Sequence, residues 1–548
     1  MTKSKRKNVR TLLILIVVLL LFIAAYAMVL SHKAKKSSDD KDKAEVKVSE
    51  LNADKATKLS FTNKDGSMTL VKEKDIWHNE SDRKAPINQT YIQSMVSSLA
   101  SINADKILTD DAANLSEYGL DKPSVVAELT CEDGSSVSVE IGDSLVVGGG
   151  NYVKLADSNT IYVVGTSLYT AFDYTMTKLL AIEDFPSITA TNVTSIDVDS
   201  KDGEDFSAWY DNEAADRGDY YAWNITKPFS WNVKGDPQKL ETYFGNYGSI
   251  AFSECVDYDC KDLSKYGLDN PSTTIDLAYY TQSTEVEADS ADKDGSASGD
   301  ASTATSENSA GTANTANSST DTTNGTTSDA DASSANGSSD SSDKEAQAKT
   351  TRTDYKLTLK IGNKTDEGDY YVMMMQEGLK YPNAVYKLPE SSVTTLAPVK
   401  AFDNVSPLIS LIDITSLDHL DVEVNGTKYT MSVIGKKSKN DDGEEETQYT
   451  YKLNGNELKE EDFKNVYQEV IGLSTTAEIT KKVNDNTPVI TMTFVRNSKD
   501  LKDVTVNYLP YDGTNFYRVE VDGQITFLAE KQSVDKVTEA IKDLGGKK

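Results

Sequence analysis

The amino-acid sequence predicts an α+β protein in which modules of twisted antiparallel sheet, each with one or two helices, follow one another behind a single N-terminal transmembrane helix. Three observations predict this class: an uninterrupted apolar run near the N-terminus, a ten-residue motif that occurs twice, and short alternating segments separated by Gly, Asn and Asp. The chain has 548 residues, which is room for about three domains. Its hydrophobic content of 38% is low, so we expect part of the chain to be non-globular.

The apolar run covers residues 12–30 and is long enough to cross a bilayer. The basic flanks favour a cytoplasmic N-terminus (residues 1–11): Lys3, Lys5, Arg6, Lys7 and Arg10 precede the run, and only Lys33, Lys35 and Lys36 follow it closely. A cleaved signal peptide is the alternative, because Ala25-Tyr26-Ala27 has the small-x-small spacing of a cleavage site. Both interpretations place the bulk of the chain outside the cytoplasm, after a polar spacer over residues 31–54.

The repeated motif reads LSEYGLDKPS from residue 115 and LSKYGLDNPS from residue 263. In each copy a short helical turn ends at a glycine that can adopt the left-handed conformation, and a proline then prevents the helix from resuming. A strand-like segment follows each copy. We therefore interpret the motif as a structural device: its residues are Tyr118, Gly119, Leu120, Asp121 and Pro123 in the first copy and Tyr266, Gly267, Leu268, Asp269 and Pro271 in the second.

The segments around the motif divide the chain into three modules, which we place at 55–185, 190–405 and 411–545. In the first, several alternating segments accompany a helix over 90–102 with apolar residues at helical spacing. The second repeats this order. The third lacks the YGLD turn but has hairpin patterns and a helix over 460–471, so we expect it to be a divergent copy.

The second module contains an insertion over residues 287–354 that lacks Val, Ile, Leu, Met, Phe, Tyr and Trp. Such a segment cannot bury enough apolar area to offset its chain entropy, which predicts disorder. It stands where the first module has a hairpin turn, and a surface loop tolerates added length at low entropic cost. It is either a tolerated insertion without a role, or a spacer, an O-glycosylated or a wall-spanning tract.

The composition argues against several classes of function. A net charge of −30 disfavours nucleic-acid binding, which depends on Lys and Arg. Three His and three Cys leave little material for a metal or redox centre, so we expect no catalytic residue, no cofactor and no metal. The acidic run from Asp197 resembles a calcium-binding loop, but Lys201 stands at its third ligand position, where a lysine cannot bind the cation. The run therefore does not predict a calcium site. Cys255 and Cys260 are either a disulfide or free thiols.

The anchor followed by repeated YGLDxPS and IG motifs resembles the bacterial domain of unknown function 4340 family. The resemblance rests on Tyr118-Gly-Leu-Asp121 with Ile141-Gly142, and on Tyr266-Gly-Leu-Asp269 with Ile361-Gly362. Members of that family are envelope proteins without an assigned activity, often encoded beside ABC-transporter components of the gliding-motility type. The resemblance implies an auxiliary or scaffolding role beside a transporter, and it names no catalytic residue.

These observations lead to the hypothesis of a non-enzymatic, single-pass protein of the cell membrane with an extracytoplasmic bulk. We expect its transmembrane helix to contact the lipid bilayer and its modules to contact an envelope or ABC-transporter protein. We expect no nucleic-acid partner. A cell-wall or glycan-binding module is the alternative, since some of the 28 Tyr could line a sheet face that binds glycans. The partner and the oligomeric state stay open.

Overall fold

The structure, a computed structural model, describes residues 46–109, 114–285, 349–439 and 445–545. The predicted cytoplasmic N-terminus, the predicted transmembrane helix and most of the polar spacer lie outside these residues, as do residues 286–348 of the second module. Among the helices in the described ranges, none combines the length and the apolar character that a bilayer span requires.

The first module is built on an eight-stranded antiparallel sheet and a two-stranded one. Its strands are β1 (Val46–Glu50), β2 (Ala56–Asn63), β3 (Gly66–Glu73), β4 (Ile76–Asn79), β5 (Ser101–Ala104), β6 (Lys106–Thr109), β7 (Val125–Cys131), β8 (Ser136–Ser144), β9 (Asn151–Leu155) and β10 (Ile161–Val164), and its helices are α1 (Gln89–Ala100) and α2 (Ser167–Thr170). The large sheet has the order β4-β3-β2-β7-β8-β9-β10-β6, and β1 pairs with β5. Alternate residues of β7 are buried, as expected for a strand with one face on a core.

Helix α1 illustrates why these segments fold as they do. The Asn88 side chain accepts hydrogen bonds from the backbone N–H groups of Thr90 and Tyr91 and so caps the first turn. The apolar residues at helical spacing are all buried against the sheet: Ile92, Met95, Val96 and Leu99. The helix ends at Ala100, two residues before the predicted end, because Ser101 and Ile102 pair with β1 instead.

The second module has a nine-stranded antiparallel sheet. Its strands are β11 (Val193–Ser200), β12 (Phe206–Tyr210), β13 (Trp223–Lys227), β14 (Val233–Lys234), β15 (Glu254–Asp257), β16 (Thr273–Glu285), β17 (Lys349–Lys364), β18 (Tyr370–Met375) and β19 (Val385–Leu388), and its helices are α3 (Asn212–Asp216), α4 (Pro237–Gly245) and α5 (Glu390–Leu396). The order is β14-β13-β12-β11-β16-β17-β18-β19-β15.

Strand β17 corrects one boundary of the predicted disordered insertion. We predicted disorder over 287–354, but residues 349–354 belong to β17. The composition of these residues does not indicate a strand, because the backbone hydrogen bonds of a strand need no apolar side chain. A side-chain contact adds to this pairing: Arg352 lies over the ring of Tyr280, 4.0 Å from its centroid. Residues 287–348 of the prediction lie outside the described part of the chain.

The third module repeats the arrangement without the YGLD turn. Its strands are β20 (Leu417–Val424), β21 (Thr427–Lys439), β22 (Glu445–Leu453), β23 (Asn456–Leu458), β24 (Thr475–Ala477), β25 (Ile490–Arg496), β26 (Val504–Pro510), β27 (Phe516–Val521) and β28 (Gln524–Glu530), and its helices are α6 (Glu460–Ile471) and α7 (Lys531–Leu544). The order is β23-β22-β21-β20-β25-β26-β27-β28-β24. Helix α6 has the predicted bounds.

The three large sheets share one topology. In each, a meander of strands precedes a helix, a strand at the opposite edge follows it, and a four-strand meander then begins beside the first strand. One face of each sheet packs against its helices around a separate core. The α+β class with repeated sheet modules is thereby confirmed, and the third module belongs to the repeat by its strand order.

Buried and half-buried contacts join neighbouring modules. Between the first and second, the Tyr258 hydroxyl donates to Asp82 at 2.5 Å, and Glu254 accepts hydrogen bonds from Thr175 and Thr177. Between the second and third, Phe527 of β28 packs into the core of the second module, with its ring 5.3 Å from that of Phe229.

Candidate binding sites at the junction of the second and third modules

The two copies of the repeated motif have the same conformation. Leu115–Tyr118 and Leu263–Tyr266 are single 3₁₀ turns, and each is followed by a glycine with φ of 69°, Gly119 or Gly267. The next leucine is buried in both copies, and the aspartate after it is exposed. Tyr118 packs edge to face on Tyr152, and Tyr266 does the same on Tyr371.

The motif lies directly on the strand that carries the IG pair. A Cβ added to Gly142 would stand 2.2 Å from the Tyr118 carbonyl oxygen, and one added to Gly362 would stand 2.2 Å from that of Tyr266. After each proline, a serine hydroxyl donates to the carbonyl of the isoleucine before that glycine: Ser124 to Ile141 at 2.9 Å, and Ser272 to Ile361 at 3.0 Å. These contacts support a structural role for the motif, which fastens a turn to the sheet.

A cleft of about 610 Å³ lies between the second and third modules, and we call it the junction cleft. The second module contributes the turn after α3, with Gly218, Asp219 and Tyr220. The third contributes its entry segment and one side of α6: Leu411, Ile412, Asp413, Ile414, Lys464, Tyr467, Gln468, Ile471 and Arg496. Tyr220 and Leu411, which both line the cleft, are 56% and 49% exposed.

The ionisable groups that line the junction cleft already have structural partners. Asp219 accepts a hydrogen bond from Arg217 at 3.2 Å, and Arg496 donates to the Ser416 hydroxyl at 2.8 Å. Asp413 caps the turn that begins at Ile414. Lys464 pairs with Glu460, and that hydrogen bond raises the pKa of the Lys464 ammonium. The cleft thus offers apolar and aromatic area framed by charged side chains that already have partners within the chain.

Tyr467 forms the inner wall of the junction cleft. Its ring is buried on the core side, and its hydroxyl donates to the Ile412 carbonyl at 2.9 Å. Burial raises the pKa of this phenol, so Tyr467 stays neutral. The hydrogen bond ties α6 to the entry segment, so the two parts of the third module's wall stay together.

A second cavity, of about 400 Å³, lies along the segment that connects the two modules, and we call it the linker pocket. Residues 405–409 bridge both sheets there: Ser406 N–H donates to the Lys234 carbonyl at 2.8 Å, and Thr475 N–H donates to that of Pro407 at 2.7 Å. Trp231 and Phe527 line the pocket. Within the described chain, Trp231 Nε1 and the Ser406 hydroxyl are buried and have no hydrogen-bond partner.

The other residues that the sequence singled out lie elsewhere. Cys255 and Cys260 are free and buried in separate apolar clusters, so the disulfide alternative is not realised. Burial raises the pKa of Cys255 to about 12. Asp197 and Asp199 both accept from the Lys227 ammonium, at 2.7 and 2.9 Å. Over the ranges that the structure describes, no group of three or more His, Cys, Asp and Glu could hold a metal ion.

Neither cavity was found from the sequence. Their walls come from segments almost two hundred residues apart or more, such as Tyr220 with Leu411 and Trp231 with Phe527. The available signals were local: the adjacent pair Tyr220-Tyr221 in a polar segment, and Trp231 beside Phe229. Such pairs also occur in cores, and only the docking of two modules distinguishes them.

Residues 77–215 match the family model described as a domain of unknown function, DUF4340. The match confirms the resemblance that the motifs indicated. The DUF4340 segment runs from β4 through the first YGLD motif and into α3 of the second module, and it ends before Gly218. No curated protein and no solved structure gives a significant match to the chain.

Proposed function

We propose that this protein is a non-enzymatic scaffold of the cell envelope, anchored by residues 12–30, whose modules bind an ABC-transporter or envelope protein. The observation that carries the proposal is the junction cleft, which is lined by exposed Tyr220 and Leu411 and by charged side chains of both signs. Tyrosine and arginine are enriched at the centres of protein interfaces, and a rim of charges sets the register of the partner. The genomic neighbourhood that the DUF4340 resemblance implies suggests the class of partner.

A site-specific cross-link tests this function. With p-benzoylphenylalanine in place of Tyr220 in the full chain, irradiation of intact membranes should give one adduct that contains a transporter or envelope subunit. Leu411→Asp should reduce the adduct about tenfold, because a charge would be desolvated on the apolar wall. The matched control places the cross-linker at Ile434, which is 47% exposed and not part of the cleft. Equal adducts from both positions would contradict the proposal.

The location is tested separately. Protease added to spheroplasts should digest the modules, because we propose that they lie outside the membrane, while a cytoplasmic marker stays intact. Digestion only after lysis would overturn this part of the proposal.

A glycan-binding module is the second candidate, and the linker pocket is the observation that favours it. Sugar rings stack on aromatic side chains, and their oxygens would accept hydrogen bonds from Trp231 Nε1 and the Ser406 hydroxyl. The purified chain should then co-sediment with cell-wall material, and Trp231→Phe should weaken this binding while keeping an aromatic ring. Equal sedimentation of Trp231→Phe and the unaltered chain would count against the pocket as the glycan site.

A further inference from the structure

The three modules differ at one edge of their sheets. In the second module β14 covers β13, with Asn224 opposite Lys234 and Ile225 opposite Val233. In the third module β23 covers β22 over three residue pairs. In the first module the corresponding strand, β4, is the last strand of its sheet, and no described strand covers it. Two of three copies therefore show a strand of the chain itself at a position that is vacant in the first.

The connection after β4 differs from its counterpart in the second module. Eight residues connect β4 to the cap of α1, over 80–87, and eight connect β13 to the cap of α4, over 228–235. The last residue of each connection pairs in the same way, Ile87 with Leu180 and Gly235 with Val405. The second connection forms β14. The first instead makes a contact between modules, in which Asp82 accepts a hydrogen bond from Tyr258, and it forms no strand on β4.

One side chain stands in for the missing strand. The Gln89 carboxamide accepts from the Trp77 backbone N–H at 2.8 Å and donates to the Trp77 carbonyl at 2.9 Å. In the second module the carbonyl of Trp223, at the start of β13, accepts instead from the backbone N–H of Gly235, at 2.9 Å. The outward groups of Trp77 are therefore those that an added strand would use, and Gln89 occupies them in its absence.

The space beside this edge suits an extended chain. A groove of about 600 Å³ lies between β4 and α1. The side chains that line it are mostly uncharged: Asp75, Trp77, Gln89, Thr90, Gln93, Ser94 and Ser97. Ile76, which neighbours Trp77 on the strand, is 51% exposed. Neutral walls give little selectivity for charge, so recognition would come from backbone hydrogen bonds and from apolar contact with Ile76.

We propose that the first module binds an extended segment of a partner protein as an added antiparallel strand on β4, and that this segment displaces the Gln89 carboxamide from Trp77. The proposal rests on the proposed function, since it names a second contact of the same scaffold with its protein partner. It commits to a peptide segment of β-strand conformation, because this is what β14 and β23 supply in the other modules. We expect that segment to carry little charge, because the groove walls are mostly neutral.

The test places p-benzoylphenylalanine at Ile76 of the full chain in native membranes. Its adducts are compared with those of the cross-linker at Tyr220. Position 76 should give an adduct with the same partner, mapped by mass spectrometry to one short segment. Gln89→Ala should raise this adduct about tenfold, because two competing hydrogen bonds are removed. Ser94→Arg, at an exposed helix position that lines the groove, should abolish it, as should replacing residues 80–87 by the sequence of 228–235.

The Tyr220 adduct should stay constant in all three variants, which shows that each variant is folded and still binds. An adduct at Tyr220 without one at Ile76, in both the unaltered chain and Gln89→Ala, would overturn the β4 site alone. Persistence of the Ile76 adduct in Ser94→Arg would also overturn it. Absence of both adducts would overturn the proposed function together with this site.

Discussion

At the scale of single residues, the repeated motif works through close backbone contact. Gly142 and Gly362 face the carbonyl oxygens of Tyr118 and Tyr266 at distances that leave no room for a methyl group. The left-handed Gly119 at the end of the first turn is needed for a different reason, because its φ of 69° is costly for other residues. Each copy therefore requires glycine at two positions for two different physical reasons, which the sequence alone does not distinguish.

We expect Gly362→Ala to destabilise the second module by roughly 1–3 kcal/mol, because the new methyl group would force the turn away from β17. The shift of the urea unfolding midpoint measures this. Gly245→Ala is the matched control in the same module, since Gly245 is helical and nothing lies within 4 Å of an added Cβ. That change should be neutral or slightly stabilising. Equal destabilisation by both substitutions would contradict the contact.

At the scale of elements, the third module keeps the fold by other means. The segment between β24 and β25 is held by Arg518, which is only 3% exposed and lies on β27. Its guanidinium donates to the carbonyl oxygens of Pro510, Val483 and Asp485 and to the Asn486 side chain. A fork of donors thus organises a loop where the first two modules use the YGLD turn.

Arg518→Met should destabilise the third module by about 3 kcal/mol, because three part-buried hydrogen bonds from the guanidinium to backbone carbonyl groups would be lost. Arg518→Lys should recover only part of the loss, since a single ammonium cannot reproduce the fork. Hydrogen exchange over residues 483–487 should rise in both variants. Lys502→Ala is the control, as the Lys502 side chain is 81% exposed and its pair with Asp522 is worth under about 1 kcal/mol. Unchanged exchange in Arg518→Met would contradict this assignment.

At the scale of the whole molecule, polar contacts hold the first module to the second. The Glu254 side chain is 8% exposed and lies 3.1 Å from the Lys387 ammonium. Burial by itself would raise the pKa of Glu254, but hydrogen bonds from Thr177 and Lys387 outweigh it and lower that pKa below its usual value. A carboxylate with a lowered pKa stabilises the folded state above its unfolded pKa. Its contribution is lost as the pH falls through the folded value.

Acidification from pH 6 to below about pH 4 should therefore loosen this junction. Glu254→Gln should cost about 3 kcal/mol at pH 7, because Lys387 would be left partly buried without its closest carboxylate. The same variant should show a flatter dependence of stability on pH between about 3 and 6 than the unaltered chain. Thermal unfolding measured across that range checks both statements. Parallel pH profiles would show that Glu254 does not titrate with unfolding.

The sequence by itself determined the repeat, the α+β class, the bounds of α6 and the family resemblance over the DUF4340 segment, because these depend on local pattern and on motifs that are contiguous in the chain. Only the tertiary structure decided the edge of β17 at Lys349, the junction cleft between Tyr220 and Leu411, and the open edge of β4. Backbone pairing and contacts between modules are made by residues far apart in sequence. Their side chains follow no periodic pattern, so these contacts cannot be recognised in the sequence and are visible only in the folded structure.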